Sequence, residues 1–263
     1  MDLLLRDRVA LVTAGSLGLG FATALQFARE GTLVAICSRN EAHVSAATDA
    51  IEAETGRPAL GVPADITNPL DVERLFERVV EEYGGLDILV ANTISPPAGT
   101  FEDVADEAWQ RAFEQNLHSV VRLIRRALPL LRQSAAPAVL TIASFAARFP
   151  VPELIASSTL HLAVIGLTRT LALELGREGI RCNAILPGWT ETVRVQDMLE
   201  ARAARRGTAI EEEIARIAAG NALRRLAAPE EIAAVATFLC SPRASFVTGV
   251  ALPVDGGMFY GTA

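Results

Sequence analysis

Apolar runs of strand length alternate with segments of helical spacing along the whole chain, and no other sequence feature limits the fold as much. The runs at 8–13, 32–37, 59–62, 87–91, 138–143, 180–186 and 250–254 are mostly continuous in Val, Ile, Leu and Ala rather than alternating with polar residues. Strands apolar on both faces belong in a parallel sheet covered on both sides. Between them, 21–30, 41–54, 71–83, 106–131, 157–175 and 229–240 carry apolar residues at helical spacing and supply the covering layers. Right-handed crossovers then predict an α/β fold: a doubly wound parallel sheet of about seven strands with helices on both faces. With 263 residues and neither internal repeat nor long linker, one domain over 1–263 is expected.

Residues 188–228 break the rhythm. Gly188-Trp189-Thr190 leads into a charge-rich helical stretch at 200–218, jointed at Arg205-Arg206-Gly207 and Gly220-Asn221. An excursion beyond a strand's carboxyl end sits where open α/β sheets bind ligands, so a lid over a small-molecule substrate is expected, with a solvated helical insertion as the alternative.

Charge and composition narrow the function classes. The 24 basic and 31 acidic residues give a net charge of -7, which speaks against a nucleic-acid partner held by its phosphates. The stretch 120–131 is cut by Arg122, Arg125 and Arg126, and no other run is read as reaching bilayer length, so no membrane partner is expected. Residues 1–7 lack the basic region of a secretory signal, and a cytoplasmic location follows as an expectation. Cys37, Cys182 and Cys240 are odd in number and set in apolar segments, which reads as buried thiols. His43, His118 and His161 form no cluster with Cys or carboxylates, so no metal site is expected. All 24 basic residues are Arg, which removes Schiff-base chemistry, a phosphate-loop lysine and any lysine-tuned acid or base.

The first strand runs into Thr13-Ala14-Gly15-Ser16-Leu17-Gly18-Leu19-Gly20, directly before a helix. Glycines let backbone approach a pyrophosphate, and a helix N-terminus offers unpaired N–H groups to it. The run resembles the TGxxxGxG motif of the short-chain dehydrogenase/reductase family, with Ala14 at the first Gly. Further segments are similar to the family's in the same order: Asp65-Ile66, which contacts adenine; Asp87–Asn92, with Asn92 kept and Thr93-Ile94 departing; Asn183–Gly188; and Val254-Asp255-Gly256-Gly257. The resemblance implies a Rossmann-like sheet, with Thr13, Gly15, Ser16, Leu17, Gly18, Leu19, Gly20, Asp65, Ile66, Asn92, Pro187, Gly188, Thr190 and Thr192 around the dinucleotide.

Cofactor choice follows from the end of the second strand. An acid there binds the ribose 2′-hydroxyl of NAD, whereas Arg accommodates the 2′-phosphate of NADP. Ser38 stands at the acidic position and Arg39 follows, so NADP(H) is expected over NAD(H).

The family moves a hydride between nicotinamide and a carbonyl or alcohol. Its Tyr transfers the proton, a Lys four residues on lowers the Tyr pKa and holds the ribose, a Ser polarises the carbonyl and an Asn supports a water relay. Ser144 and Asn116 match the last two. The Tyr and Lys positions fall on Ser157 and His161, and neither Tyr83 nor Tyr260 aligns there. At i and i+4, Ser157 and His161 share a helix face. His161 can act as acid or base, relay a proton through Ser157, or hold the ribose in the lysine's place. A polar remnant is the bland alternative. Phe145 and Trp189 are candidates for the substrate pocket or equally for the core.

Three functions fit: an NADP(H)-dependent oxidoreductase, a nucleotide-binding sensor or structural protein without turnover, and a non-redox lyase or isomerase with His161 as base. The resemblance also implies a homo-oligomer, dimer or tetramer.

Overall fold

A computed structural model describes residues 1–258. Tyr260 lies outside the described residues. Seven strands, β1 (Val9–Thr13), β2 (Leu33–Ser38), β3 (Leu60–Pro63), β4 (Ile88–Ala91), β5 (Ala138–Ile142), β6 (Arg181–Pro187) and β7 (Ala251–Val254), form one sheet in the order β3-β2-β1-β4-β5-β6-β7. Every pairing is parallel. The doubly wound architecture expected from the apolar runs is therefore present.

Strand periodicity sends alternate residues to opposite faces. Val9 and Leu11 join a core with α3 (Pro69–Tyr83), α5 (Ser119–Leu131) and the end of α6 (Ile155–Leu175), through Phe76, Leu123 and Leu175. Ala10 and Val12 face the other core, formed with α1 (Gly18–Arg29), α2 (Glu41–Thr55) and α9 (Pro229–Cys240) through Phe27, Ile51 and Ile232. All three cysteines are buried and unbridged, and burial pushes each thiol up to about 12.

Helix boundaries depart from the periodic segments where local chemistry extends or interrupts them. α3 begins at Pro69 because the Asn68 side chain accepts from Leu70 N and proline suits a first helical position. The stretch expected as one helix over 106–131 is α4 (Asp106–Phe113), a π turn at Glu114–His118, and α5. Helix α7 (Val193–Arg206) starts seven residues before the expected 200, capped by Thr192 Oγ1 accepting from Val195 N, and α8 (Ile210–Ala218) follows a break at Gly207, whose φ is 66°.

One expectation needs correcting. By length and composition alone, Ile155–Glu178 is apolar enough to cross a membrane. Its inner face explains this, because Val164, Ile165, Ala172 and Leu175 are buried in the domain.

The buried Arg181 shows how the chain spends a cation on backbone. Its guanidinium donates to the carbonyls of Leu239, Cys240 and Ser241, capping the C-terminal end of α9. Carbonyls there have no partner within the helix.

Candidate active site

From β1 the chain crosses to β2 on one side, and from β4 to β5 on the other, so the connections part company between the neighbouring strands β1 and β4. Ligands bind beyond the carboxyl ends of strands at such a switch point. A cavity of about 790 Å³ opens there. That volume suits an extended small molecule.

At its β1 side, Ala14, Ser16, Leu17, Gly18 and Leu19 line the cavity. Leu17 precedes α1 in extended backbone with no side-chain cap, and the first turn holds no acid. The opening N–H groups thus remain available to an anion. Gly20 does not line the cavity. A Cβ there would lie 2.2 Å from Ala14 O and 2.7 Å from Asn92 Nδ2, so a side chain would break the turn. Gly15 is likewise internal, with Val12 O 2.7 Å from a would-be Cβ. Thr13 is fully buried: Oγ1 donates to Asn92 O at 2.7 Å and accepts from Asn92 N at 3.1 Å, tying β1 to the end of β4. Asn92 Nδ2 donates to Ala14 O at 3.2 Å. These groups shape the glycine-rich turn from behind. Ala14 itself sits at φ 46°, a left-handed conformation that costs an L-residue roughly 1–2 kcal/mol.

Ser38, Arg39, Asp65 and Ile66 all line the β2–β3 side, together with Asn40 and His43, which sequence reasoning had not selected. Ser16 Oγ donates to Ser38 Oγ at 2.8 Å, leaving the Ser38 proton free. Arg39 is exposed at the end of β2. Asp65 Oδ1 accepts from Thr67 N and Oγ1 at 2.9 and 2.7 Å, which sets the loop after β3.

Across the switch point the cavity meets Ser144, Ser157, His161, Asn92, Pro187, Gly188, Thr190 and Thr192. Ser144 lies two residues beyond β5, and its Oγ accepts from Ala146 N at 3.2 Å. Ser157 and His161 lie on consecutive turns of α6, both buried. His161 Nδ1 is 3.0 Å from Ser157 Oγ and 3.0 Å from the Ser157 carbonyl oxygen. A carbonyl only accepts, so Nδ1 carries the proton and Nε2 is the acceptor. Burial lowers the His161 pKa to about 4, against a smaller upward pull from the Ser157 backbone bond. The imidazole is therefore neutral at physiological pH.

Asn116 is buried and does not line the cavity. It sits in the π turn, where Nδ2 donates to Ala112 O at 3.1 Å, an acceptor that a regular α-helix satisfies with the Asn116 backbone N–H. Thr93 Oγ1, which does face the cavity, donates to Asn116 Oδ1 at 2.8 Å. Asn116 thus reaches the cavity through Thr93. The departure from the family pattern at Thr93 was the available signal.

Helix α7 closes one wall with Val193, Arg194, Val195, Asp197 and Met198, whereas no α8 residue lines the cavity. Arg194 Nη2 reaches Pro96 O at 3.4 Å across the mouth. Arg202 and Arg205 hold Glu153, just before α6, at 3.3 and 3.4 Å. Glu213 anchors α8 to α7 against Arg206 at 3.0 Å and also pairs with Arg216 of its own helix at 2.7 Å. Burial raises its pKa, but the Thr208 hydrogen bond and the charges of Arg216, Arg206 and Arg202 outweigh that and hold it below the usual carboxylate range. Phe145 and Trp189 are both wall and core. They line the cavity, and their rings pack 5.2 Å apart. Among the described residues no group of three or more His, Cys, Asp or Glu side chains is placed to hold a metal.

A doubly wound parallel sheet with an uncapped, glycine-rich helix terminus at its switch point defines the dinucleotide-binding class of α/β proteins. The family model described as enoyl-(acyl carrier protein) reductase matches residues 13–259. Dehydrogenase/reductase SDR family member 4 of Bos taurus is 33% identical over 254 residues, covering 96% of this chain and 88% of that one. This chain belongs to the short-chain dehydrogenase/reductase family of oxidoreductases. Among solved structures, L-sorbose reductase from Gluconobacter frateurii, complexed with NADPH and L-sorbose, superimposes with a TM-score of 0.94 at 31% identity over 100% of both chains. An NADPH-bound short-chain oxidoreductase from Pseudomonas aeruginosa PAO1, described as containing an atypical catalytic centre, gives 0.89 at 31% identity over 97% of this chain and 98% of that one.

Proposed function

We propose that this chain is an NADP(H)-dependent oxidoreductase interconverting a carbonyl and an alcohol on a small molecule, with Ser157 and His161 in place of the family's Tyr and Lys. The cradle fits the cofactor. The first-turn N–H groups of α1 suit the pyrophosphate, Ser38 and Arg39 the 2′-phosphate, Asp65 and Ile66 the adenine, and Asn92, Pro187, Gly188, Thr190 and Thr192 the nicotinamide side. The NADPH complexes of the two structural relatives support the same choice.

Bound dinucleotide supplies the hydride to the carbonyl carbon. Ser144 already accepts from Ala146 N, so its own proton is free to polarise the carbonyl oxygen. Ser157 receives the His161 Nδ1–H, which leaves its hydroxyl proton to be given to the oxygen as negative charge develops. His161 then passes the Nδ1 proton to Ser157 as Nε2 takes one from solvent, a relay that needs no imidazolium. Release of the Nε2 proton and return of one to Nδ1 by exchange with solvent restore the resting tautomer before the next turnover. Thr93 and Asn116 hold the loop after β4 beside this pair. Helix α7 is the lid. One observation carries the reading: the Nδ1 contact to both Ser157 oxygens, which sets the tautomer and therefore the direction of the relay.

NADPH oxidation with a ketone panel tests it. Ser157→Ala should retain NADPH affinity and lose turnover by roughly 10²-fold or more. Full turnover in that variant refutes the assignment.

A second reading, nucleotide binding without turnover, draws on the neutrality of His161, which leaves Ser157 without a cationic partner. It predicts NADPH affinity with no oxidation by any carbonyl. A homodimer or homotetramer is also proposed, because α6 exposes Leu162 and Leu173 and α4 exposes Phe113. A monomer in light scattering at micromolar concentration refutes it.

A further inference from the structure

The proposed dinucleotide and the Ser144–Ser157–His161 group leave the wall beneath α7 unassigned. Pro96, Phe145, Leu154, Trp189, Val195 and Met198 build it, drawn from the loops after β4, β5 and β6, the segment before α6, and α7 itself. None carries a charge. Phe145 directly follows Ser144, so the tilted Phe145–Trp189 pair begins one residue from the hydroxyl that polarises the carbonyl. Five of the six, all but Pro96, pack into one apolar cluster with Leu199 of α7 and Ile217 of α8, so side chains rather than water stand behind this wall. The charged lining residues of this half, Arg194 and Asp197, are exposed on α7. Arg194 is also drawn to the Pro96 carbonyl.

Resting on the carbonyl-reducing reading, we infer that this half of the cavity takes an uncharged ketone with an aryl or alkyl substituent, or the matching secondary alcohol, rather than a polyhydroxylated sugar. A carbonyl oxygen accepts two hydrogen bonds, which Ser144 and Ser157 can supply. Every additional hydroxyl of a sugar placed against the apolar wall gives up its water without replacement. Alkyl and aryl groups gain from the same burial, and the unbranched Met198 thioether adapts to either shape. The reaction is the two-electron step described above: the carbonyl carbon gains a hydride as NADPH becomes NADP+, and the oxygen gains a proton from Ser157, replaced through His161 from solvent.

The test measures kcat/KM for NADPH-driven reduction of straight-chain ketones from 2-butanone to 2-octanone, an aryl methyl ketone and a ketohexose. About a fourfold rise per added methylene is expected until the wall is covered, on the order of a hundredfold across the series, with the ketohexose below 2-butanone. Met198→Asn should flatten that rise. A parallel titration follows quenching of Trp189 emission by the same compounds in a Trp109→Phe background saturated with NADP+. A flat series, or a ketohexose ahead of the ketones, overturns the substrate class while leaving carbonyl reduction standing. Chain-length-dependent quenching without NADPH oxidation supports the apolar site and instead defeats the reductase reading on which it rests.

Discussion

Acid should destabilise this protein through His161 by an amount that can be worked out. A histidine whose folded-state pKa lies below its unfolded value contributes stability that is fully present above the unfolded value and fades as pH falls towards the folded one. Burial takes His161 from 6.5 to about 4, so the window runs from near pH 6.5 downwards. At about 1.36 kcal/mol per tenfold change in proton affinity, the full effect is about 3 kcal/mol, of which about 2 kcal/mol is lost by pH 5. The perturbation is His161→Gln, which cannot titrate, compared with the parent chain in urea unfolding at pH 7.5 and pH 5. Absolute stabilities can differ for packing reasons. The quantity of interest is the difference in their pH slopes, in which the exposed His43 and His118, common to both, cancel. The parent should lose about 2 kcal/mol more than the variant. Equal slopes would mean that His161 is hydrated or charged in the folded state, and the neutral relay would fall with it. A matching signature should appear in turnover, with kcat flat from pH 8 to pH 6 and falling as Nε2 is protonated nearer pH 4.

Three further outcomes are expected. Arg39→Ala should weaken NADPH binding on the order of tenfold or more and leave NADH nearly unchanged in parallel titrations, since a charged hydrogen bond contributes roughly 1.5–3 kcal/mol; equal losses for both cofactors would detach Arg39 from the 2′-phosphate. Arg181→Met should lower stability by roughly 3 kcal/mol in chemical denaturation, because three carbonyls at the end of α9 lose their buried donor; a change within error would show that water replaces the guanidinium. In a ketone-reduction assay, Ser157→Tyr with His161→Lys should exceed both single variants by more than the sum of their effects, and additive behaviour would show the two positions to be uncoupled.

The sheet was legible because buried parallel strands have a signature that needs no partner: β1, β4, β5 and β6 are buried on both faces and mostly apolar. Ser38 and Arg39 were picked out by their place at the end of β2, whereas Ser144, Ser157 and His161 came from the family resemblance; all five line the cavity. Thr13 and Asn116 were harder. Their side chains look like cavity groups in one dimension, yet Thr13 is clasped to Asn92 across seventy-nine residues of chain, and Asn116 closes a π turn while bonded to Thr93. Such bonds exist only after β1 and β4 are neighbours. The early start of α7 was hidden because Val193 and Val195 favour strands and only the Thr192 cap announces a helix. The apolar wall was only half legible: Phe145 and Trp189 were candidates for it, but Leu154 and Met198 join it only once α7 packs on those two rings.

On the proposed alignment, the exchanges at 157 and 161 depend on each other. A phenol needs a nearby cation before its proton can be exchanged at neutral pH. An aliphatic hydroxyl is too weak an acid for one cation to bring it there, so a lysine behind Ser157 would be a buried, uncompensated ammonium. A neutral imidazole removes that cost and keeps two hydrogen-bonding sites, one donating to Ser157 and one accepting from the cavity. The charges agree with this placement. The lining cation Arg39 sits at the end of β2 and Arg194 on α7, while Arg181 is engaged with backbone carbonyls and Arg202, Arg206 and Arg216 with Glu153 or Glu213. None of these six guanidiniums is hydrogen-bonded to Ser157 or His161. On the proposed reading, a carbonyl bound here would meet hydroxyl and imidazole dipoles, whose effect strengthens as α7 and the apolar wall exclude water. Under the same proposal, closure of α7 and uncharged chemistry are linked: opening α7 should weaken the hydrogen bonds to a carbonyl oxygen far more than the proposed grip of Arg39 on a 2′-phosphate.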